Sequence, residues 1–414
     1  MRKFWIVLLT MGLIVAFAMP AAALDVKFGG SYYVQGIYDH NRSLKDNAGA
    51  TGDGSTAFIA QRLRIQTEFK VAEGLSLVTR FDALEKKWGD TTWAAAPTAT
   101  TNYDSVNRGS AGNAGSRVQE NIEFERAYID FNTAIGKFMV GYQNFIAFGT
   151  SFLDTHVARP GIKYILPIGN STIVLAMEQI REGTSTPTVS PSNQGLVTEG
   201  DKTAYDVAFI QKWQGGDAGV LVQYLVGSDT SAASHYKTKA YIIDPYVKAT
   251  FGPVFVEAEL YYGGGKLQDP DRAGVADVDI KTWGAYVHAL ANFAPAYVGA
   301  KFMYMRGNDP SSTDTREGSL AALLSMGQIA SPCLILWNDE TSTWMNGLTG
   351  YGANSVNNFP DNLWLYGLYG GVKPMPKLDV QLGVYYAYAD QRPANHLNKD
   401  FGTEIDLIAK YKIY

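Results

Sequence analysis

The chain has 414 residues, of which 46% are hydrophobic and only 18% are charged, against roughly 25% charged residues in an average soluble protein. The net charge of −5, with no basic patch interleaved with aromatic residues, argues against a nucleic-acid partner. The 25 tyrosines point instead towards strands and membrane–water interfaces, where this side chain is enriched.

The first 23 residues have the pattern of a secretory signal peptide. Arg2 and Lys3 precede the apolar run 4–18, and three alanines follow at 21–23. This run is shorter than the roughly 20 residues that a membrane-spanning helix needs, so we predict cleavage after Ala23 rather than an anchor. The only cysteine, Cys333, fits an exported chain that forms no disulfide framework.

From Leu24 to Tyr414 the chain is predicted to form a single domain of paired strands. Runs with a period of two are joined by very short turns, and the pairs are separated by long polar connections near 41–55, 90–117, 182–202, 229–238, 265–279, 307–360 and 390–400. The predicted strands are 25–39, 56–71, 75–88, 118–132, 137–145, 159–167, 171–181, 203–213, 218–228, 239–251, 254–263, 280–293, 297–306, 361–373, 377–389 and 401–414.

The two faces of these strands differ strongly in polarity. In "QRLRIQTEFK", residues 61–70, one face carries Leu63, Ile65 and Phe69, and four of the five residues on the other face are charged. Alternation alone does not say which face meets water, so a secreted soluble β-sandwich or solenoid with an apolar core is the alternative. The number of strands and the one-sided placement of the long connections favour an all-β fold, a transmembrane antiparallel β-barrel of about 16 strands, or 18, with long extracellular loops and short periplasmic turns.

The chain resembles the bacterial outer-membrane porins, among them the trimeric porins and the alginate-export-like barrels. The resemblance is carried by "DVKFGGSYYVQGIYDH", "AQRLRIQTEFKVAEGLSLVTRFD", "FERAYIDF" and "GTEIDLIAKYKIY". It implies a homotrimer in the outer membrane, in contact with lipid and lipopolysaccharide, through which small hydrophilic solutes and ions diffuse passively. One departure is Tyr414, which falls in phase with Lys410 and Lys412. Either a bulge shifts the last turn, or the natural chain continues and the strand count is low.

A charged lumen selects solutes by electrostatics rather than by breaking bonds. The side chains predicted to line it lie on the polar face of three neighbouring N-terminal strands: Arg62, Arg64, Glu68, Lys70, Arg80, Asp82, Arg126 and Asp130. The alternative is that these side chains pair with one another and only stiffen the wall.

Two connections are too apolar for ordinary extracellular loops. Residues 144–161 are the candidate constriction loop, and the resemblance implies gatekeeping roles for Asp154, His156 and Arg159. The alternative for this segment is two ordinary strands joined by a short loop. Residues 318–338 are predicted to contain a short helix that packs against the pore or a neighbouring subunit, with Cys333 buried in it.

The sequence offers no pattern for an enzyme, a cofactor or a metal. Metalloprotease, serine-hydrolase and haem-attachment motifs are missing, and the five histidines are scattered. The acidic stretch 269–279 resembles a calcium loop but has Ile280 where the last carboxylate is needed. Besides a general porin, two functions stay open: a substrate-specific channel for an anionic organic acid or polysaccharide, and a non-conducting structural or adhesin barrel.

Overall fold

A computed structural model of the chain describes residues 25–40, 55–89, 122–145, 147–153, 158–182, 200–229, 236–270, 274–318, 332–337, 344, 361–392 and 398–414. The predicted signal peptide lies outside these residues. Among them, no helix is long and apolar enough to cross a membrane.

The described residues form sixteen long strands and one short one. Their bounds are β1 Asp25–Asp39, β2 Thr56–Ala72, β3 Leu75–Lys87, β4 Ile122–Thr133, β5 Gly136–Asn144, β6 Ala158–Ile168, β7 Ser171–Arg181, β8 Lys202–Trp213, β9 Gly216–Asp229, β10 Tyr236–Phe251, β11 Val254–Pro270, β12 Val278–Phe293, β13 Ala296–Met305, β14 Thr315–Arg316, β15 Leu363–Met375, β16 Leu378–Tyr388 and β17 Asp400–Tyr411. The sixteen predicted strands are all confirmed.

Each long strand pairs antiparallel with the next one along the chain, and β13 pairs with β15 past the two-residue β14. β14 runs parallel to the start of β12. Seven of the connections have only two residues, and all seven lie at the same end of the sheet. The longer connections lie at the opposite end, as predicted, because each strand reverses the direction of the one before it.

The polarity of the two faces is the reverse of that in a soluble protein. On the outer face Leu382 is 53% exposed and Leu407 is 72% exposed. On the inner face Asp244, Glu259 and Glu404 are at most 4% exposed. An apolar face that is exposed and a charged face that is buried are what a barrel in a lipid bilayer requires, so the soluble sandwich is wrong.

The sheet curls until its first and last strands come close together. The Trp337 ring lies 5.1 Å from that of Phe401 on β17, and the Trp344 indole donates to the Tyr33 hydroxyl on β1 at 3.3 Å. The seven Cα–Cα steps from Trp337 to Trp344 reach at most about 25 Å. In a flat sheet the same two strands would be roughly 70 Å apart. The inner face is therefore strongly curved and faces a lumen.

Most strand ends lie within three residues of the predicted ones, and two differences affect the interpretation. β11 continues to Pro270, where a loop was predicted from residue 265, because Gly264 and Gly265 let the strand pass close to β10 and keep its ladder with β12. β17 ends at Tyr411, so Tyr414 lies beyond the strand and takes no part in its alternation.

Candidate pore-lining surface

The densest group of charges on the inner face spans β2, β3 and β4. Arg64 forms a bidentate pair with Asp82, with both N–O distances 2.7 Å, and its NH2 also lies 2.7 Å from Glu125. Arg80 lies 2.5 Å from the other oxygen of Glu125, and Arg62 lies 3.8 Å from Asp82. We call these five residues the N-terminal network. Its side chains are each at least partly paired, which fixes their positions; Asp82 is buried, whereas the three arginines and Glu125 stay partly exposed.

A β-bulge in β4 brings Glu125 into this network. The register between β3 and β4 shifts between Arg80 and Phe81, so that Arg80 pairs with Arg126 and Phe81 with Phe124. Glu125 is the extra residue, and it turns to the same face as Arg126 to reach two arginines on neighbouring strands. Strict alternation would have sent Glu125 to the lipid, so the sequence did not predict its contribution.

The other predicted pore residues lie on the same face, towards the end with the tight turns. Glu68 is 3.5 Å from Lys27, Asp130 is 2.6 Å from Lys137, and Lys70 is exposed beside the first turn. All eight predicted residues therefore share one face, while their role in lining a path for solutes stays a prediction.

The described part of the predicted constriction loop, residues 147–153 between β5 and β6, packs against the inner face of β10–β12. The Thr150 amide and hydroxyl both donate to Glu259, the amide at 2.6 Å, and Lys248 donates to the Gly149 carbonyl at 2.9 Å. Gly149 has a φ of +74°, and a Cβ there would lie 2.8 Å from the Glu259 carboxyl group. The positive φ favours glycine at this position, and the missing Cβ leaves room for the carboxyl group.

Aromatic packing holds the same loop in place. Phe152 is fully buried, stacked on Tyr286 at 5.5 Å and tilted against Tyr261 at 5.9 Å. Because these partners lie on β11 and β12, the loop crosses the inside of the barrel instead of extending outwards. An apolar cluster inside the lumen is the result.

The three predicted gatekeepers fare differently. Asp154 and His156 lie outside the described residues. Arg159 is on β6 and not in the loop, and it is buried in an ion pair of 2.8 Å with Glu178. Gln223 joins that pair to Asp206 through bonds of 2.7 and 2.8 Å. The sequence analysis gives residues 159–161 both to the predicted strand 159–167 and to the candidate loop 144–161, and the structure assigns them to the strand.

A second stretch of chain, the inner segment 332–337, is held against β17 mainly by the carboxylate of Glu404, and Asp406 accepts a further, longer bond of 3.3 Å from the Leu334 amide. Glu404 Oε1 accepts the amides of Leu334 and Ile335 at 2.8 and 2.6 Å, and Oε2 accepts that of Leu336 at 2.8 Å. Lys301 on β13 donates to the Pro332 carbonyl at 3.2 Å. The segment therefore lies inside the lumen.

The inner segment is built of turns and bends, and most of the stretch 318–338 in which a short helix was predicted, residues 319–331 and 338, lies outside the described residues. Cys333 is buried in it, as predicted. Burial raises the pKa of this thiol, and the carboxylates of Glu404 and Asp406 raise it further. The thiol therefore stays protonated and unreactive while the segment is in place.

Several inward-facing acids were not named in the sequence analysis although their strands were predicted. Three of them share the polar parity of their strands, which could have found them: Glu178, Asp206 and Glu259. Glu125 faces inward against that parity because of the bulge. The part of the chain that the structure describes contains no group of three His, Cys, Asp or Glu side chains that could hold a metal ion.

Comparisons with known proteins gave structural similarity only. No family model matches the sequence, and no curated protein matches it. The fold is similar to the outer-membrane channel DcaP of Acinetobacter baumannii, with 13% identity, coverage of 95% of this chain and 98% of that one, and a TM-score of 0.49. It is also similar to the outer membrane protein OmpT of Vibrio cholerae in its trimer form, with 11% identity, coverage of 94% and 99%, and a TM-score of 0.46. A third similar structure is the anion-selective porin from Comamonas acidovorans, with 12% identity, coverage of 94% and 96%, and a TM-score of 0.43.

Proposed function

We propose that this protein is an outer-membrane porin, a water-filled channel for passive diffusion of small hydrophilic solutes and ions. The observation that carries the proposal is the inverted polarity: an apolar outer face surrounds an inner face lined with charges such as Arg64, Asp82 and Glu125. Charged groups on that face need water or partners, and the side chains of Arg64 and Glu125 remain about one-quarter exposed to the lumen, at 26% and 25%.

The inward loop and the inner segment support a selective path instead of a wide one. Both rest on the strands from β10 to β17, so they narrow the lumen from one side. The opposite side carries the N-terminal network. Solutes that pass would move beside fixed charges in a confined space, where electrostatic selection is strongest.

The direct test is conductance of the purified full chain in a planar bilayer. A porin gives stepwise openings, and it lets neutral sugars swell liposomes at rates that fall as the sugar becomes larger. Silence in both assays, from protein that shows the heat-modifiable gel mobility of a folded barrel, would reject the channel.

A charge variant tests which face lines the path. Arg62→Glu changes the charge of the N-terminal network by two while leaving the bidentate pair of Arg64 and Asp82 in place. We expect the reversal potential in a KCl gradient to move towards cation preference. Lys281→Gln, at an exposed position outside the lumen, is the matched control and leaves that potential unchanged.

One observation favours the non-conducting alternative. Side chains from the β5–β6 loop and the inner segment, among them Phe152 and Trp337, join one buried apolar cluster within the barrel. If this cluster blocks the lumen completely, the barrel has a structural or adhesive role, and the bilayer experiment shows no current.

The same proposal has four further parts. The chain is exported through the signal peptide at 1–23 and forms a single barrel domain at 24–414. It resides in the outer membrane, in contact with lipid and lipopolysaccharide, and assembles as a homotrimer. Membrane fractionation, the mass of the mature protein and native mass spectrometry in detergent test them separately. A mature mass that still contains Arg2 and Lys3 would reject cleavage.

A further inference from the structure

A polar pocket of about 240 Å³ lies at the long-loop end of the barrel, between the ends of β7–β11. Its wall includes the cations Arg181 and Lys202, with Ser228, Thr238 and Gln268 beside them. Among the described residues that line it there is no carboxylate. A concave site with two cations and several hydrogen-bonding groups has the chemistry of an anion site.

The pocket opens towards the lumen. Lys202 has the same parity on β8 as the buried Asp206, whereas Tyr205 and Val207 on the other face are exposed. Thr238 likewise shares the buried face of β10 with Ala240 and Asp244. A solute in the pocket would therefore be in the aqueous interior and not among lipid tails.

Arg181 is held in position by main-chain oxygens. Its Nε donates to the Gly200 carbonyl at 2.6 Å, and its NH2 donates to the Ser228 carbonyl at 2.5 Å. Carbonyl dipoles orient a guanidinium but do not cancel its charge. The remaining N–H groups of the planar fork are suited to an oxyanion.

The inner wall continues this positive character below the pocket. From the pocket to the middle of β6, the inward-facing cations on β6, β7 and β8 are Arg159, Lys163, Arg181 and Lys202, and the carboxylates are Glu178 and Asp206. On these three strands four positive groups face two negative ones, while Asp244 and Glu259 face the interior from β10 and β11. In a low-dielectric wall such an excess attracts anions from solution.

We propose that this pocket binds a small oxyanion of the phosphate or carboxylate class at the outer entrance of the lumen. Arg181 contributes its fork and Lys202 a point charge, while the hydroxyl and amide groups complete the shell. Its role as an entry site rests on the proposed channel function, but binding itself does not require conductance.

The test is calorimetric titration of the full chain in detergent with inorganic phosphate at low ionic strength. We expect saturable binding, weakened at least tenfold by Arg181→Gln and by Lys202→Gln. Lys281→Gln, outside the lumen, binds as the wild type does. Heat-modifiable gel mobility identifies variants that have folded, and the comparison is made among those.

Two results would overturn the proposal: no saturable phosphate binding by the folded wild type, or equal affinity in all three variants. Vesicles containing phosphatidylglycerol separate a soluble anion from a lipid headgroup. Equal vesicle binding by wild type and Arg181→Gln supports the soluble anion, and loss of vesicle binding in that variant contradicts a pocket that opens to the lumen.

Conductance distinguishes this proposal from the channel proposal. Phosphate added on the long-loop side should reduce the KCl current of the wild type and not that of Arg181→Gln. A protein that binds phosphate but passes no current would reject the channel and leave the anion site standing.

Discussion

Replacing Glu404 by glutamine should release the inner segment from the wall of the lumen. The amide of glutamine can still accept from Leu334 and Ile335, but its NH₂ group would face the Leu336 amide, donor against donor. One hydrogen bond to a charged group, valued at about 1.5–3 kcal/mol, is lost and the other two become neutral. We therefore expect a loss of about 3 kcal/mol for the closed position, which raises the released fraction on the order of 100-fold.

Cys333 reports this release without ambiguity because it is the only cysteine of the chain. It is 4% exposed and its pKa is raised by burial, so a maleimide can react only when the segment leaves the wall. The rate of maleimide labelling, followed by intact mass at pH 7.5 and at low reagent concentration, then measures the released fraction. Glu404→Gln should label on the order of 100 times faster than the wild type, as the lost hydrogen bonds imply.

The matched control is Glu68→Gln, which removes an inner-face carboxylate whose recorded partners, Lys27 and Ser76, are outside the inner segment. Its labelling rate should equal that of the wild type. If Glu404→Gln and Glu68→Gln label within twofold of each other, the carboxylate does not hold the segment and the reasoning is wrong.

Three further outcomes are expected. Leu382→Arg, on the outer face, should destabilise the barrel in lipid by about 2–4 kcal/mol in urea unfolding; an unchanged midpoint would contradict lipid contact, because an exposed leucine in water tolerates arginine. Arg64→Gln breaks a bidentate pair and should lower the free energy of unfolding by about 1–3 kcal/mol, a value already reduced for partial exposure. Adding Asp82→Asn should restore part of that free energy. Strictly additive losses from the two substitutions would count against a direct pair. Gly299→Ala places a methyl group 2.3 Å from a tyrosine ring and should lower the free energy of unfolding by about 1–3 kcal/mol in the same assay. The control Gly29→Ala meets no atom within 4 Å and should leave that free energy unchanged. Equal effects of the two substitutions would refute the packing argument.

The strands could be predicted because each depends on local signals. A period of two, followed by a turn of two residues, fixes both the direction and the facing of a strand. The face of Arg62 and Arg64 was therefore correct from "QRLRIQTEFK" alone. The same alternation also predicts which residues face lipid and which face the lumen, once the number of strands has indicated a barrel.

The site was less predictable because it depends on contacts between distant parts of the chain. Thr150 meets Glu259 across 109 residues, and Leu336 meets Glu404 across 68. No local sequence pattern predicts such long-range contacts. The inward position of Glu125 was not predicted for another reason: a single β-bulge reverses the alternation of faces on which the prediction relied.

The seven two-residue turns contain no residues beyond those needed to reverse the chain at their end of the barrel. An added residue there would have to displace a strand and shift the alternation of everything that follows it. The long connections at the other end bear no such constraint, and insertions in exposed loops are tolerated well. Peptide tags or epitopes for surface display should accordingly be grafted between β9 and β10 or between β1 and β2, and never into the tight turns.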